Sequence, residues 1–424
     1  MKRSINPRAT GPPGEKGSDP LSHGAVAKPR VTGETGEKGS DPLNGGGQTP
    51  FRLTPFPVLT PRERMRRAMM NRTPDCVPCM PQICPPHAIR ALGLDFRRTL
   101  IETVLDPGLM NRLDYECAKL YGVDGMRLAM TGEPTPKNEI REEGGLIWRV
   151  DPRTGERKAR LDLEGGGGWI ALDEAPELRD EADIDRRPCP SSREVIASGR
   201  LDSARRIIEA AGDTMFMAAW GPMVSVEYLT FVRGKEQALM DLMERPEFCH
   251  RALEKQLEIA IQAGIAMAQV GIEAIMIGET FGGVIGPRLF REFCLPYMRR
   301  YVEALRPHGV VLYLHICGNS TALFELMAET GVDCIEPLDP LGGVCVADAK
   351  RRVGKRVALM GGVHTLKLAH GSLRDVEEDC ARCLTEGAPG GGYVLACGDM
   401  LPTETAPEKV RAMVKAAHRF RYAT

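Results

Sequence analysis

VVLYLHICGN, residues 310–319, is almost unbroken in apolar residues and stops at a glycine. A strand buried on both faces of a parallel sheet has this composition. Seven more short runs of the same kind surround it: CVPCMP (76–81), DGMRLA (124–129), TMFMAAWG (214–221), EAIMIGE (273–279), CIEPLD (334–339), VALMGGV (357–363) and YVLACGD (393–399). The stretches between them carry apolar residues three and four apart, as in 240–271, 287–309 and 321–331, the spacing of amphipathic helices. Strand and helix alternating eight times predict a closed (β/α)8 barrel over residues 56–424. An open doubly wound sheet is the second choice. GLIWRVDPRTGERKARL (145–161) interrupts the alternation and reads as a β-hairpin insertion turning at Asp151-Pro152. Thr60-Pro61-Arg62-Glu63 supplies an N-cap, a proline at the first helical position and an acidic first turn.

The first 55 residues differ. Residues 1–50 contain ten Gly and seven Pro and no aromatic residue. TGPPGEKGSDPL (10–21) is nearly repeated as TGETGEKGSDPL (32–43). Neither copy has an apolar face, so the segment reads as a disordered tail and not as a solenoid. Of the whole 424-residue chain, 42% is hydrophobic and 27% charged, enough to build a core. The net charge of −1 excludes a nucleic-acid binder that works by counterion release. No run is long and apolar enough for a membrane span, and the amino terminus lacks the apolar stretch of a secretory signal. Thirteen cysteines, an odd number, fit the reducing cytoplasm.

Chemistry concentrates at the ends of the strands. Residues i and i+2 of a strand share a face, so His315 and Cys317 point the same way beside Gly318. Cys397 also closes a strand just before a glycine, and a barrel brings all its strand ends to one rim. One imidazole and two thiols leave the fourth position of a zinc ion open, the donor pattern of catalytic zinc. Other patterns are read as structural. Cys76, Cys79, Cys84 and His87 begin inside a strand, with Cys76 and Cys79 on opposite faces. Cys380 and Cys383 share one helix face. The glycine runs 165–168 and 390–392 lack the strand-to-helix context of a phosphate loop.

From about Thr60 to Arg419 the chain resembles the uroporphyrinogen decarboxylase superfamily. The resemblance rests on PRERMRRAMMNRTPDCVP, on the block 271–319 and on GGYVLACGDMLPTETAPEKVRAMV. Within it, His-x-Cys with a distant Cys resembles the zinc-dependent methylcobamide:thiol methyltransferases. That resemblance implies a (β/α)8 barrel, zinc held by His315, Cys317 and Cys397, a methyl-corrinoid as co-substrate and a thiol as methyl acceptor. It also implies a corrinoid-binding protein as partner. Glu279, where the family often has an acidic residue, is the catalytic candidate, orienting a zinc ligand or the substrate. Glu336 and Asp339 are weaker candidates of the same kind, and Asp399 is a neighbour of Cys397. His364 stands where the family often has Gly-Asn-Val-Asp, and reads as a loop histidine. Residues 80–93, MPQICPPHAIRALG, lack the arginine-rich motif that clamps propionates in true uroporphyrinogen decarboxylases. That activity, and a non-catalytic barrel binding a tetrapyrrole or corrinoid, are the alternatives.

Overall fold

The computed structural model describes residues 3–4, 58–106, 108–130, 139–163, 168–172 and 177–422. The expected tail, residues 1–55, lies outside these residues except for Arg3–Ser4. Twelve strands are described. In chain order they are β1 Arg3–Ser4, β2 Gly125–Leu128, β3 Glu139–Glu143, β4 Leu146–Val150, β5 Arg157–Asp162 and β6 Gly168–Ala171. They continue with β7 Phe216–Trp220, β8 Ala274–Gly278, β9 Val311–His315, β10 Cys334–Leu338, β11 Ala358–Val363 and β12 Tyr393–Cys397.

β2 and β7 to β12 form one parallel sheet in strictly sequential order. A doubly wound sheet reverses its order at a switch point, so the sequential order excludes that alternative. The remaining seam is filled by residues 76–82. There the expectation of a regular first strand is corrected: only isolated bridges form, Cys76 with Arg421, Cys79 with Leu395 and Gln82 with Met400. Pro78 and Pro81 carry no N–H to donate to a ladder. The segment still closes the barrel. Met80 N donates to Leu395 O (3.0 Å) and Leu395 N to Pro78 O (2.9 Å), while on the other side Asp124 N donates to Cys79 O (3.0 Å).

The insertion is larger than the hairpin expected. β4 and β5 do pair antiparallel across the 151–156 turn, but β3 and β6 flank them, and β1 pairs with β3. Two long helical stretches are also subdivided. Residues 240–271 break at Arg245, before Pro246, and 287–309 belong to two helices, Gly282–Phe293 and Leu295–Leu305, the second with a proline in its first turn. Pro at a first turn starts a new helix instead of continuing the old one.

The first helix, Pro61–Met69, starts at the expected cap. The Thr60 side chain accepts from Glu63 N (3.2 Å), and Thr60 N donates to Glu63 Oε2 (3.0 Å). Its buried Met65, Ala68 and Met69 pack with Met80, Phe216, Tyr313, Cys334 and Met360, the inward-pointing side chains of the barrel strands. This helix therefore plugs the amino-terminal end of the barrel, and each fully buried methionine contributes about 1.5–3 kcal/mol. The plug is bolted by Arg64. Its guanidinium donates to both oxygens of Asp75 (2.8 and 3.0 Å), to Asp124 Oδ1 (2.6 Å) and to Leu59 O (3.0 Å). Asp124 Oδ2 in turn accepts from Cys79 N (2.8 Å) and bonds His418 Nε2 (2.7 Å). Among the described residues, no helix is long and apolar enough to cross a membrane.

Candidate active site at the carboxyl rim

Side-chain alternation places chemistry one layer above the apolar filling. Tyr313 and Cys334 pack inside the barrel. Two residues on, His315 at the carboxyl end of β9 and Glu336 in the middle of β10 point the same way, and their Cα atoms are register partners. His315 Nδ1 lies 2.8 Å from Glu336 Oε2. From the far side of the barrel, Arg127 on β2 reaches the other oxygen, with Nη2 at 2.8 Å from Oε1. All three are buried. Burial alone would raise the Glu336 carboxyl, but Arg127 and His315 outweigh it and hold it well below the usual carboxylate range. Burial pulls the His315 imidazole down, yet the Glu336 charge, with hydrogen bonds to Cys317 and Glu336, lifts it above the usual range. The row Arg127–Glu336–His315 is thus a charge-balanced, hydrogen-bonded strut across the barrel mouth.

The sequence reading placed Cys317 on the strand. β9 ends at His315, so Cys317 lies beyond it, half-buried. The two side chains still meet, as expected. Gly318 then takes φ +73°, a left-handed conformation that suits glycine, and its N–H donates to Asp339 Oδ2 (3.2 Å). Cys397 closes β12 and is buried. Its Sγ accepts from Gln82 N (3.3 Å), and burial pushes the thiol up to about 12, with the Gln82 bond and Arg127 pulling the other way. Val394 and Ala396 join the barrel interior, whereas Leu395 and Cys397 join the core outside it. Cys397 thus shares the phase of Leu395, while its sulfur remains within electrostatic reach of Arg127 and Glu336. Among the described residues, no three His, Cys, Asp or Glu side chains stand together as a metal-holding group.

Glu279 follows β8 and is fully buried, so it is not a solvated rim carboxylate. Its Oε2 accepts from Ser225 Oγ and from Glu227 N (3.1 Å), and its backbone N–H donates to His315 O (2.9 Å). Burial pushes its carboxyl up to about 7, against the pull of Ser225 and the Glu227 amide. This has a measurable consequence. A carboxyl raised in the fold adds stability below its unfolded value near 4.3 and loses it as pH climbs to the folded value. Glu279→Gln stays neutral throughout. Its stability relative to wild type should rise by on the order of 3 kcal/mol between pH about 4 and about 7, then level off. A difference that is flat across that range, measured by thermal melts, would remove the buried-acid reading.

The weaker candidates separate. Glu336 is central to the site. Asp339 binds loop amides, at Gly318 and Leu341 (2.9 Å). His364 caps the helix Thr365–His370, its Nδ1 accepting from Leu366 N (3.2 Å), in line with a structural role. Asp399 is raised by burial. His87 is satisfied by Pro402 O (3.1 Å) and the Tyr121 hydroxyl (2.8 Å), and Cys380 and Cys383 are buried on their helix. Arg127 was missed. Its signal was a basic residue inside the otherwise apolar stretch GMRLA (125–129), and a charge there requires a buried partner.

The description of the uroporphyrinogen decarboxylase (URO-D) family matches residues 169–420. Uroporphyrinogen decarboxylases of Klebsiella pneumoniae subsp. pneumoniae and Citrobacter koseri are 29% and 30% identical over 274 residues, covering 61% of this chain and 75% of each relative. Among solved structures, a methyltransferase from Methanosarcina mazei superposes with a TM-score of 0.65 at 20% identity. It covers 85% of this chain and 98% of that one, a likeness of fold.

Proposed function

The chain belongs to the uroporphyrinogen decarboxylase family, and from that premise we propose that it is a zinc-dependent methyltransferase moving a methyl group between a methyl-corrinoid and a thiol. The observation that carries this reading is the Glu336 carboxylate on His315 Nδ1, 2.8 Å away, next to the Cys317 thiol. A carboxylate on one ring nitrogen orients histidine ligands of zinc, leaving Nε2 as the donor. The donor types suit zinc: His315, Cys317 and Cys397, a borderline imidazole and two soft thiols, would hold the ion. Zinc held there would supply a Lewis acid that keeps an acceptor thiol ionised at neutral pH.

The chain's own residues do the rest. Glu336 fixes the His315 tautomer by accepting from Nδ1–H. Arg127 balances the Glu336 charge, so the carboxylate stays ionised although buried. Gln82 N–H supports the Cys397 sulfur. Glu279, tied to Ser225 and to the backbone of β9, fixes the rim beside His315. In the transfer the acceptor sulfur would take the methyl group, and the electron pair of the broken bond would stay with the corrinoid. A separate corrinoid-binding protein would present the cofactor. The thirteen cysteines are all free thiols, which supports a place in the cytoplasm.

The relatives' name favours porphyrinogen decarboxylation as the second reading. Against it, the one arginine in the described cluster, Arg127, is committed to Glu336 and is not a free propionate clamp. The test uses methylcobalamin and a small thiol such as 2-mercaptoethanesulfonate, followed by cobalamin absorbance. Demethylation that depends on enzyme and thiol is expected, with no conversion of uroporphyrinogen at an enzymatic rate. Brisk carbon dioxide release from uroporphyrinogen, without methyl transfer, would reverse the assignment.

A further inference from the structure

Trp220 ends β7 as an exception. The four residues before it are buried, whereas 39% of Trp220 is exposed at the carboxyl rim. Its surroundings belong to the site. The Arg127 guanidinium lies over the indole, 5.3 Å from the ring centre. The His315 ring is 6.3 Å away and tilted by 54°. The backbone aims it there. Gly221 N donates to Met276 O (3.0 Å), and a Cβ at Gly221 would stand 2.3 Å from that oxygen. Only glycine lets the chain pass so close to β8, and the passage pins Trp220 where it is.

We propose that Trp220 is a binding platform for an electron-rich, pyrrole-derived ring, placed beside His315 with Arg127 behind it. A cation over one side of an indole draws π density toward itself, and the open part then prefers an electron-rich partner. The ring of a corrinoid is of that class, and so are the pyrroles of a porphyrinogen. The platform deepens the methyltransferase reading and rests on it for the identity of the ring. The residue sets how tightly the ring binds and leaves the transfer step itself to the site beneath.

The experiment compares full-length wild type, Trp220→Ala and Trp220→Phe, all checked for an unchanged melting temperature and zinc content. Methylcobalamin and uroporphyrin III are the probe rings, with binding read by equilibrium dialysis. The alanine variant should bind the preferred ring about tenfold more weakly, the loss expected for one aromatic contact. Its KM for methylcobalamin should rise by a similar factor with kcat little changed, and phenylalanine should restore most of the affinity. Equal binding of both rings by wild type and the alanine variant overturns the platform, as does a wild type that binds neither. Wild-type turnover with an unchanged KM in the alanine variant sinks the platform and keeps the methyltransferase. Trp220-dependent binding without methyl transfer does the opposite.

Discussion

Cys397→Ser should give a folded barrel that has lost most of its zinc and its methyl transfer. Wild type produced with zinc is expected to hold about one ion per chain, the capacity of one three-ligand site. Serine is close to cysteine in size, and its hydroxyl can accept the Gln82 N–H as the sulfur does at 3.3 Å. The fold therefore survives the exchange. An alcohol is a far poorer zinc ligand than a thiolate, so affinity should fall further than the roughly 10–100-fold that follows loss of an outer carboxylate. Glu336→Gln provides that lesser case, since it removes the charge on His315 Nδ1 while keeping the shape. The ordering wild type, Glu336→Gln, Cys397→Ser in metal content, read by elemental analysis after dialysis, is the specific expectation. A Cys397→Ser protein with full zinc, or a wild type without any, removes the assignment of the ligands.

Arg64→Met should be the most damaging single change outside the site. The side chains of Arg64, Asp75 and Asp124 are 9%, 4% and 1% exposed. Methionine fills a similar volume but leaves two carboxylates buried, with Asp124 keeping only His418 and the Cys79 amide. Breaking a buried charge network by removing one partner costs about 3–5 kcal/mol. The pH dependence gives a second check. Burial would raise the Asp75 carboxyl, but Arg64 overrides this and lowers it. A depressed carboxyl contributes stability above its unfolded pKa near 3.9 and loses it as pH falls through the folded value. The gap between wild type and variant in thermal melts should thus be full at neutral pH and shrink below about pH 4. A gap that stays constant into acid would show that the charges contribute nothing and that packing alone was lost.

The parts of the structure legible in the sequence are those fixed by local pattern. β8 to β12 were readable because each is buried on both faces, which forces near-continuous apolar runs. The Thr60 cap was readable because capping is local. Residues 76–81 look equally apolar, but prolines at 78 and 81 remove the donors a ladder needs, so composition overstated the strand. The outer sheet was half hidden. Glu139–Glu143 is too polar to announce a strand, yet it pairs with β4, Arg141 opposite Trp148. In the site, His315 and Cys317 could be read from a two-residue spacing. The Glu336 contact could only be suspected, and Arg127 could not be connected to either. Its partner is 209 residues away and joins it only through barrel closure. The phase of Cys397 depends on register within β12, which an apolar run does not disclose.

The seam between residues 76–82 and β12 has a bearing on how the protein is made. Cys79 meets Leu395, and Gln82 supports Cys397, across almost the full length of the described chain. Contacts of such high sequence separation form late, after their large loop-closure entropy has been met. On the ribosome the early segment must wait, unpaired, until the last strand has emerged. During that interval β2 and β11 are both bare edges, the kind of template that recruits a neighbouring chain or a chaperone. Sealing the barrel and completing the cysteine's surroundings are then one event that follows the emergence of β12, so a polypeptide truncated before β12 has neither.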